Sequence, residues 1–123
     1  MATVVTNKGK EVITARFLAN AAALILRIGW GTGNGTAAIA DTTLFSEAAE
    51  ARSQAVITQG TTTTANDTIQ AVATITATAT RAITNAGLFD AVTGGNLIMK
   101  GDFATVNLNN GDSITFTMKI QFT

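Results

Sequence analysis

No histidine and no cysteine occur among the 123 residues, nor any tyrosine or proline. Without imidazole or thiolate there is no ordinary zinc site, thiol nucleophile, imidazole base or disulfide, so most of the usual catalytic repertoire is missing. Charge is scarce as well: 13% of residues carry one, and eight Lys+Arg balance eight Asp+Glu. A net charge of zero, with basic residues scattered from Lys8 to Lys119, gives nucleic acid no counterion-release surface and an anionic membrane nothing to hold. Few charges also mean little self-repulsion, which favours life within an assembly. A chain of this length buries one core, so residues 1–123 are read as a single domain.

Long apolar runs are lacking too. Lys8, Lys10 and Arg16 precede the apolar stretch Phe17 to Leu26, and with the small residues Ala21-Ala22-Ala23 they imitate a secretory signal. Glu11 and Asn20 interrupt that pattern, and the stretch is far short of the ~20 residues a membrane helix needs. The expectation is a soluble, unprocessed chain made in a reducing cytoplasm.

What is present is alternation. Ile114, Phe116, Met118, Ile120 and Phe122 interleave with Ser113, Thr115, Thr117, Lys119 and Gln121, the period of a half-buried strand. Asn109-Asn110-Gly111-Asp112 precedes it as a turn, and Thr105 to Leu108 is expected to be its hairpin partner. In the middle, Ile69, Ala71, Ala73, Ile75, Ala77 and Ala79 share one face against a row of Thr on the other. With Arg52 to Gln59 across the polar connector Gly60 to Asp67, this predicts a long hairpin. Ala82 to Phe89 and Asn96 to Lys100 flank a Gly94-Gly95 turn, and Leu24, Leu26, Ile28 and Trp30 alternate near the start. About seven strands follow, so the fold class is all-β: an antiparallel β-sandwich or jelly-roll-like barrel with at most one or two short helices. The helix candidates are Asn7 to Ala19, capped by Asn7, and Thr43 to Ala51. Residues 1–7 are expected to form an extended arm that pairs with another subunit.

Each residue cluster that suggests chemistry also has a structural reading. Gly29-Trp30-Gly31-Thr32-Gly33-Asn34-Gly35 brings to mind a phosphate loop, but the glycine spacing differs from the dinucleotide fingerprint and no P-loop Lys follows. Its structural alternative is a bulged loop, with Trp30 either covering the end of the core or lying in a subunit contact. Asp90, Asp102 and Asp112 match no EF-hand spacing and suit turns that bond their own backbone. Glu11, Glu47 and Glu50 are the carboxylates available for acid–base work; Glu47 and Glu50, three apart, read as a solvated face. Ser46, Ser53 and Ser113 lack a Gly-x-Ser-x-Gly setting. Arg27 and Arg81 lie in apolar surroundings and suggest salt bridges. No catalytic, cofactor-binding or metal-ligating residue is assigned, and the chain is expected not to be an enzyme. The contact candidates are Thr3, Val4 and Val5 on the arm, Lys8 just after it, and Trp30, Thr32 and Asn34 in the glycine-rich stretch.

The second half carries a nameable pattern: Ile83-Thr84-Asn85-Ala86-Gly87-Leu88-Phe89-Asp90, Gly94-Gly95, Lys100-Gly101-Asp102-Phe103, and Gly111-Asp112-Ser113-Ile114-Thr115-Phe116 running into Lys119-Ile120-Gln121-Phe122. With Ile28-Gly29-Trp30-Gly31-Thr32-Gly33 and Thr42-Thr43-Leu44-Phe45 upstream, the chain resembles the small capsid decoration, or cement, proteins of tailed bacteriophages. That resemblance implies a β-sandwich or jelly-roll-like homotrimer on the outer capsid surface. There it would bridge neighbouring major capsid proteins and stabilise the expanded head by mass action. These motifs also recur in tail-fibre modules, so the alternative is a tail or tail-fibre component that binds a host-surface receptor. The resemblance carries over no catalytic residue, cofactor, nucleic acid or membrane.

Overall fold

The Ala–Ile face in the middle of the sequence becomes one wall of the core because its small side chains leave room for large ones opposite. The computed structural model describes residues 2–123, and at 21–24 the backbone only. Strand β4 (Thr68–Thr76) lies between β3 (Val56–Gly60) and β7 (Ser113–Gln121) in an antiparallel sheet ordered β3-β4-β7. Its register against β7 sets Ala71 opposite Met118 and Ala73 opposite Phe116, with Ile69 and Ile75 facing Ile120 and Ile114. Small-against-large pairing lets the two rows interdigitate across the pleat. On the outer face, hydroxyls pair across the strands: Thr74 with Thr115 at 2.8 Å and Thr76 with Ser113 at 2.6 Å.

The second sheet is ordered β2-β1-β5-β6, with β1 at Arg27–Gly31, β2 at Ser53–Gln54, β5 at Arg81–Phe89 and β6 at Leu97–Leu108. Leu26, Ile28, Trp30, Ile83 and Leu88 fill the space between the sheets, and Trp30 meets Phe116 edge-on at 6.2 Å. The chain is thus a β-sandwich of seven strands in two antiparallel sheets, as the alternation predicted.

Several expectations require correction. Thr105 to Leu108 is not the partner of β7; it is the end of β6 and pairs with β5, Arg81 opposite Leu108 and Ile83 opposite Val106. The Asn109–Asp112 turn is a corner between sheets, not a hairpin. Gly111 N–H donates to the Ala77 carbonyl and Ala77 N–H to the Asp112 carbonyl, both at 2.8 Å, which seats the turn beyond the end of β4. Gly111 takes a φ of 95°, a conformation that favours glycine. The run Arg52 to Gln59 is not one strand either: it changes sheet at Ala55, whose N–H donates to the Leu26 carbonyl at 2.8 Å.

One helix forms, α1 (Asn7–Leu24), five residues longer than expected at its C-terminal end. Its cap is Thr6, not Asn7: the Thr6 hydroxyl accepts the Gly9 N–H at 3.0 Å. Thr14, fully buried, fastens the helix to the sandwich by bonding the Asn66 carbonyl and accepting from the Gln59 amide, both at 2.6 Å. Ile25, at φ 48°, follows the helix in a left-handed conformation that β-branched residues rarely adopt. No helix of the described residues is long and apolar enough to cross a membrane. The expected helix over Thr43 to Ala51 is irregular instead, with Glu47 bridging back to Gly31, because Glu47 and Glu50 turn to arginines and the backbone follows β1.

Candidate functional site

The glycine-rich stretch leaving β1 is a landing strip for the chain itself. Gly33 N–H donates to the Phe45 carbonyl at 2.8 Å, Thr32 N–H to the Ser46 carbonyl at 3.0 Å, and Ala48 N–H to the Trp30 carbonyl at 3.0 Å. A methyl group on Gly31 would run into the Phe45 carbonyl and come within 2.8 Å of the Asn85 amide; on Gly33 it would come within 2.8 Å of the Phe45 backbone. Close approach of two backbones, not a phosphate, accounts for this glycine spacing.

Asn85, buried in β5, clasps Phe45 by the N–H and C=O of its two flanking peptides. Its Oδ1 accepts the Phe45 N–H at 3.0 Å and its Nδ2 donates to the Phe45 carbonyl at 3.1 Å. The neighbouring Thr84 hydroxyl donates to the Gly33 carbonyl. Residues 33 and 45 are therefore both clamped, and the segment between them projects as a loop.

That loop is tied down to β6 as well. Lys100 Nζ donates to Asp41 and to the Thr43 carbonyl, both at 2.9 Å, and lies 3.2 Å from the Phe45 ring centroid. The Lys100 hydrogen bond, with the Ala38 amide, holds the Asp41 carboxyl below its ordinary range. Asp102 accepts the Ala37 N–H at 2.8 Å. Between loop and strand lies an open depression of about 380 Å³, lined among others by Ala37, Ile39, Asp41, Leu97, Ile98 and Lys100. Ile39 stands fully exposed at its rim.

The contact candidates fall into separate places. Thr32 and Asn34 are exposed at the root of this loop, whereas Thr3, Val4, Val5 and Lys8 are exposed on the N-terminal arm and the first turn of α1. Trp30 belongs to neither: it is 0% exposed, so its side chain offers nothing to a neighbouring molecule and takes the core role. Its indole N–H donates to Glu50 at 2.9 Å.

Glu47 and Glu50 are not a solvated acidic face. Glu50 accepts from Trp30, from the Thr78 hydroxyl and amide at 2.8 and 3.2 Å, and from Arg81 at 3.0 Å. Burial pushes its carboxyl up, but the Thr78, Trp30 and Arg81 hydrogen bonds outweigh that and bring it down to about 2. Glu47 pairs with Arg52 at 2.7 Å; Arg52 also donates to the Ala91 and Gly94 carbonyls and lies over the Phe89 ring at 3.5 Å. Asp90, Asp102 and Asp112 each accept a backbone N–H, from Asn96, Ala37 and Asn109 in turn. These acids hold loops.

Sequence reasoning passed over Asn85 and Arg52. The signal for Asn85 was its polar side chain within an otherwise small and apolar strand, a group that must find partners when buried. Arg52 carried no comparable signal, because its partners Ala91 and Gly94 are backbone carbonyls of a distant turn.

No curated protein matches the chain. A family model described as Podophage GP4 fiber I protein gp80 matches residues 11–121. The chain belongs to this family. The match takes in most of α1 and all seven strands, with the clasped loop between them. It makes the protein a bacteriophage structural protein, a component of the tailed-phage virion. The description names a fibre, which favours the tail-fibre alternative over the expected capsid decoration protein and gives no support to a place on the outer capsid surface.

Proposed function

We propose that this protein is a β-sandwich module of a phage fibre that meets a host-surface receptor, and that it performs no catalysis. The match to a fibre family over nearly the whole chain carries this reading. The clasped loop supports it. A receptor-facing surface needs side chains exposed on a fixed backbone, and residues 34–44 hang between two anchored ends with Ile39 outermost. The engagement of Glu47 and Glu50 with arginines, and of three turn aspartates with amides, argues against acid–base chemistry.

Immunogold labelling of intact virions with antibody to this chain tests the location: label on fibres is expected, and label on heads would restore the capsid-decoration reading. Purified chain should also compete with virions for adsorption to host cells, and replacing Ile39 by Glu should weaken that competition. Competition that is absent, or unmoved by I39E, would remove the receptor role.

The arm gives a separate prediction. Residues 2–5 are all exposed, Val4 by 76%, and deleting them spares the Thr6 cap, so the melting temperature should stay within about 2 °C of the parent. Incorporation into virions, read by immunoblot of purified particles, should fall if the arm joins this module to its neighbours.

A further inference from the structure

Asparagine precedes glycine twice, at Asn34-Gly35 and at Asn110-Gly111. Such a pair can rearrange unaided, because a glycine nitrogen with no Cβ beside it lies open to attack on the preceding side-chain amide. The fold treats the two pairs in opposite ways.

Asn110 sits in the corner between the sheets, where the Gly111 N–H donates to the Ala77 carbonyl at 2.8 Å. Ala77 returns a bond from its own N–H to the Asp112 carbonyl at 2.8 Å, and the Asp112 carboxylate accepts the Asn109 N–H at 2.8 Å. Before the Gly111 nitrogen can attack, it must give up the proton it shares with Ala77 and leave that carbonyl, which opens the corner. That pair is held inert.

At Asn34 nothing comparable restrains the nitrogen. Asn34 and Gly35 are both exposed, and among the described residues the Gly35 N–H meets no acceptor. The anchoring bonds stop one residue earlier, at Gly33 with Phe45 and Thr84, and resume at Ala37, whose N–H goes to Asp102. Packing nevertheless requires the glycine: a methyl on Gly35 would come within 2.6 Å of the Phe45 ring. The residue that makes the pair reactive is therefore one that the clasp on Phe45 needs.

We infer that Asn34 is a site of spontaneous deamidation and that the fold protects Asn110 from the same reaction. The Gly35 nitrogen loses its proton to water and bonds to Asn34 Cγ, the bond from Cγ to the side-chain nitrogen breaks, and ammonia leaves a five-membered imide behind. Water then adds to one of the two imide carbonyls, giving aspartate or isoaspartate. Either product puts a negative charge on a chain whose net charge is zero, and isoaspartate also lengthens the backbone by one carbon. Both changes fall between the Gly33 anchor and the tie at Ala37, at the root of the projecting loop. The modification stands without the receptor reading; its effect on adsorption rests on that reading.

Peptide mapping by mass spectrometry tests it. Trypsin releases residues 28–52, in which Asn34 is the one asparagine, and residues 101–119, which carry Asn110. After weeks at pH 8 and about 37 °C the folded chain should show a gain of one mass unit in the first peptide, part of it as isoaspartate, and no conversion at Asn110. In guanidinium chloride, where the corner is gone, both pairs should react alike. Conversion of the folded chain no faster at Asn34 than at Asn110, or a difference that persists in the denaturant, would overturn the inference. Aged chain should also compete less well than fresh chain with virions for host cells. Unchanged competition at full conversion would overturn the effect on adsorption, while the mass spectra decide the modification itself.

Discussion

Replacing Glu50 by Ala should lower the unfolding free energy by about 3–5 kcal/mol at pH 7, one of the two largest losses expected from a single change in this chain. The size follows from what the carboxylate leaves behind: a buried indole N–H on Trp30, the Thr78 amide, and the Arg81 guanidinium without its counter-charge. Glu50→Gln, which keeps the shape and one acceptor, should cost about half as much. Acid should act as a milder form of the same change. The folded carboxyl sits at about 2 against an ordinary 4.5, so the folded state binds the proton less readily than the unfolded chain does. Its contribution, on the order of 3 kcal/mol, is complete above pH 4.5 and lost as the pH falls from 4.5 towards 2. Urea midpoints at pH 7 and pH 3 check both claims: the parent should lose more between the two than Glu50→Gln does. Equal losses would mean that the acid sensitivity resides in Asp41, Asp67 and Asp90, whose carboxyls are also held low.

Asp67 shows the same economy in a loop. Its carboxylate takes the amides of Thr62, Thr63 and Thr64, which hold it well below the usual range and fix the β3–β4 connector, whose Asn66 carbonyl accepts from Thr14 of α1. In a chain with few charges, most of the carboxylates organise backbone that does not belong to a regular strand. Rigid loops on a β-sandwich suit a virion part that must keep one shape outside the cell.

Residue period made the strands legible, and it stopped at the point where strands choose partners. The face of Ile69, Ala71, Ala73 and Ile75 is buried as read, because alternation reports which side of one strand faces away from water. It carries no information about the sheet that strand joins. Thr105 to Leu108 and Ser113 to Gln121 look like a hairpin from their Asn-Gly turn, yet contacts from Ala77, some thirty residues earlier, pull that turn into a corner. Trp30 and Glu50 were both visible as residues, but the bond between them depends on an irregular segment that helix propensity misreads. Of the contact candidates, Thr32 and Asn34 stand exposed at the root of the projecting loop and Trp30 lies in the core. Phe103 and Val106 of β6, each 37% exposed, read in sequence as ordinary strand, because a half-covered apolar row has the same spelling as a covered one.

The glycine strip is where sequence and fold constrain each other most tightly. Gly31→Ala should cost about 3 kcal/mol, at the upper end for overpacking, because the added methyl meets a backbone carbonyl and the Asn85 clasp, neither of which can rotate away. Gly60→Ala is the matched control: a methyl there meets nothing within 4 Å, and its effect should stay within about 0.5 kcal/mol. The consequence reaches the projecting loop. If Phe45 is forced off the strip, the bonds from Gly33 and Asn85 that anchor one end of the loop go with it, and residues 34–44 lose the fixed ends that a receptor surface requires. Limited proteolysis with thermolysin should then cut Gly31→Ala within this loop under conditions where the parent and Gly60→Ala stay whole. Equal resistance of all three, with equal urea midpoints, would show that the strip yields to a side chain and that the loop is held by Lys100 and Asp102 alone.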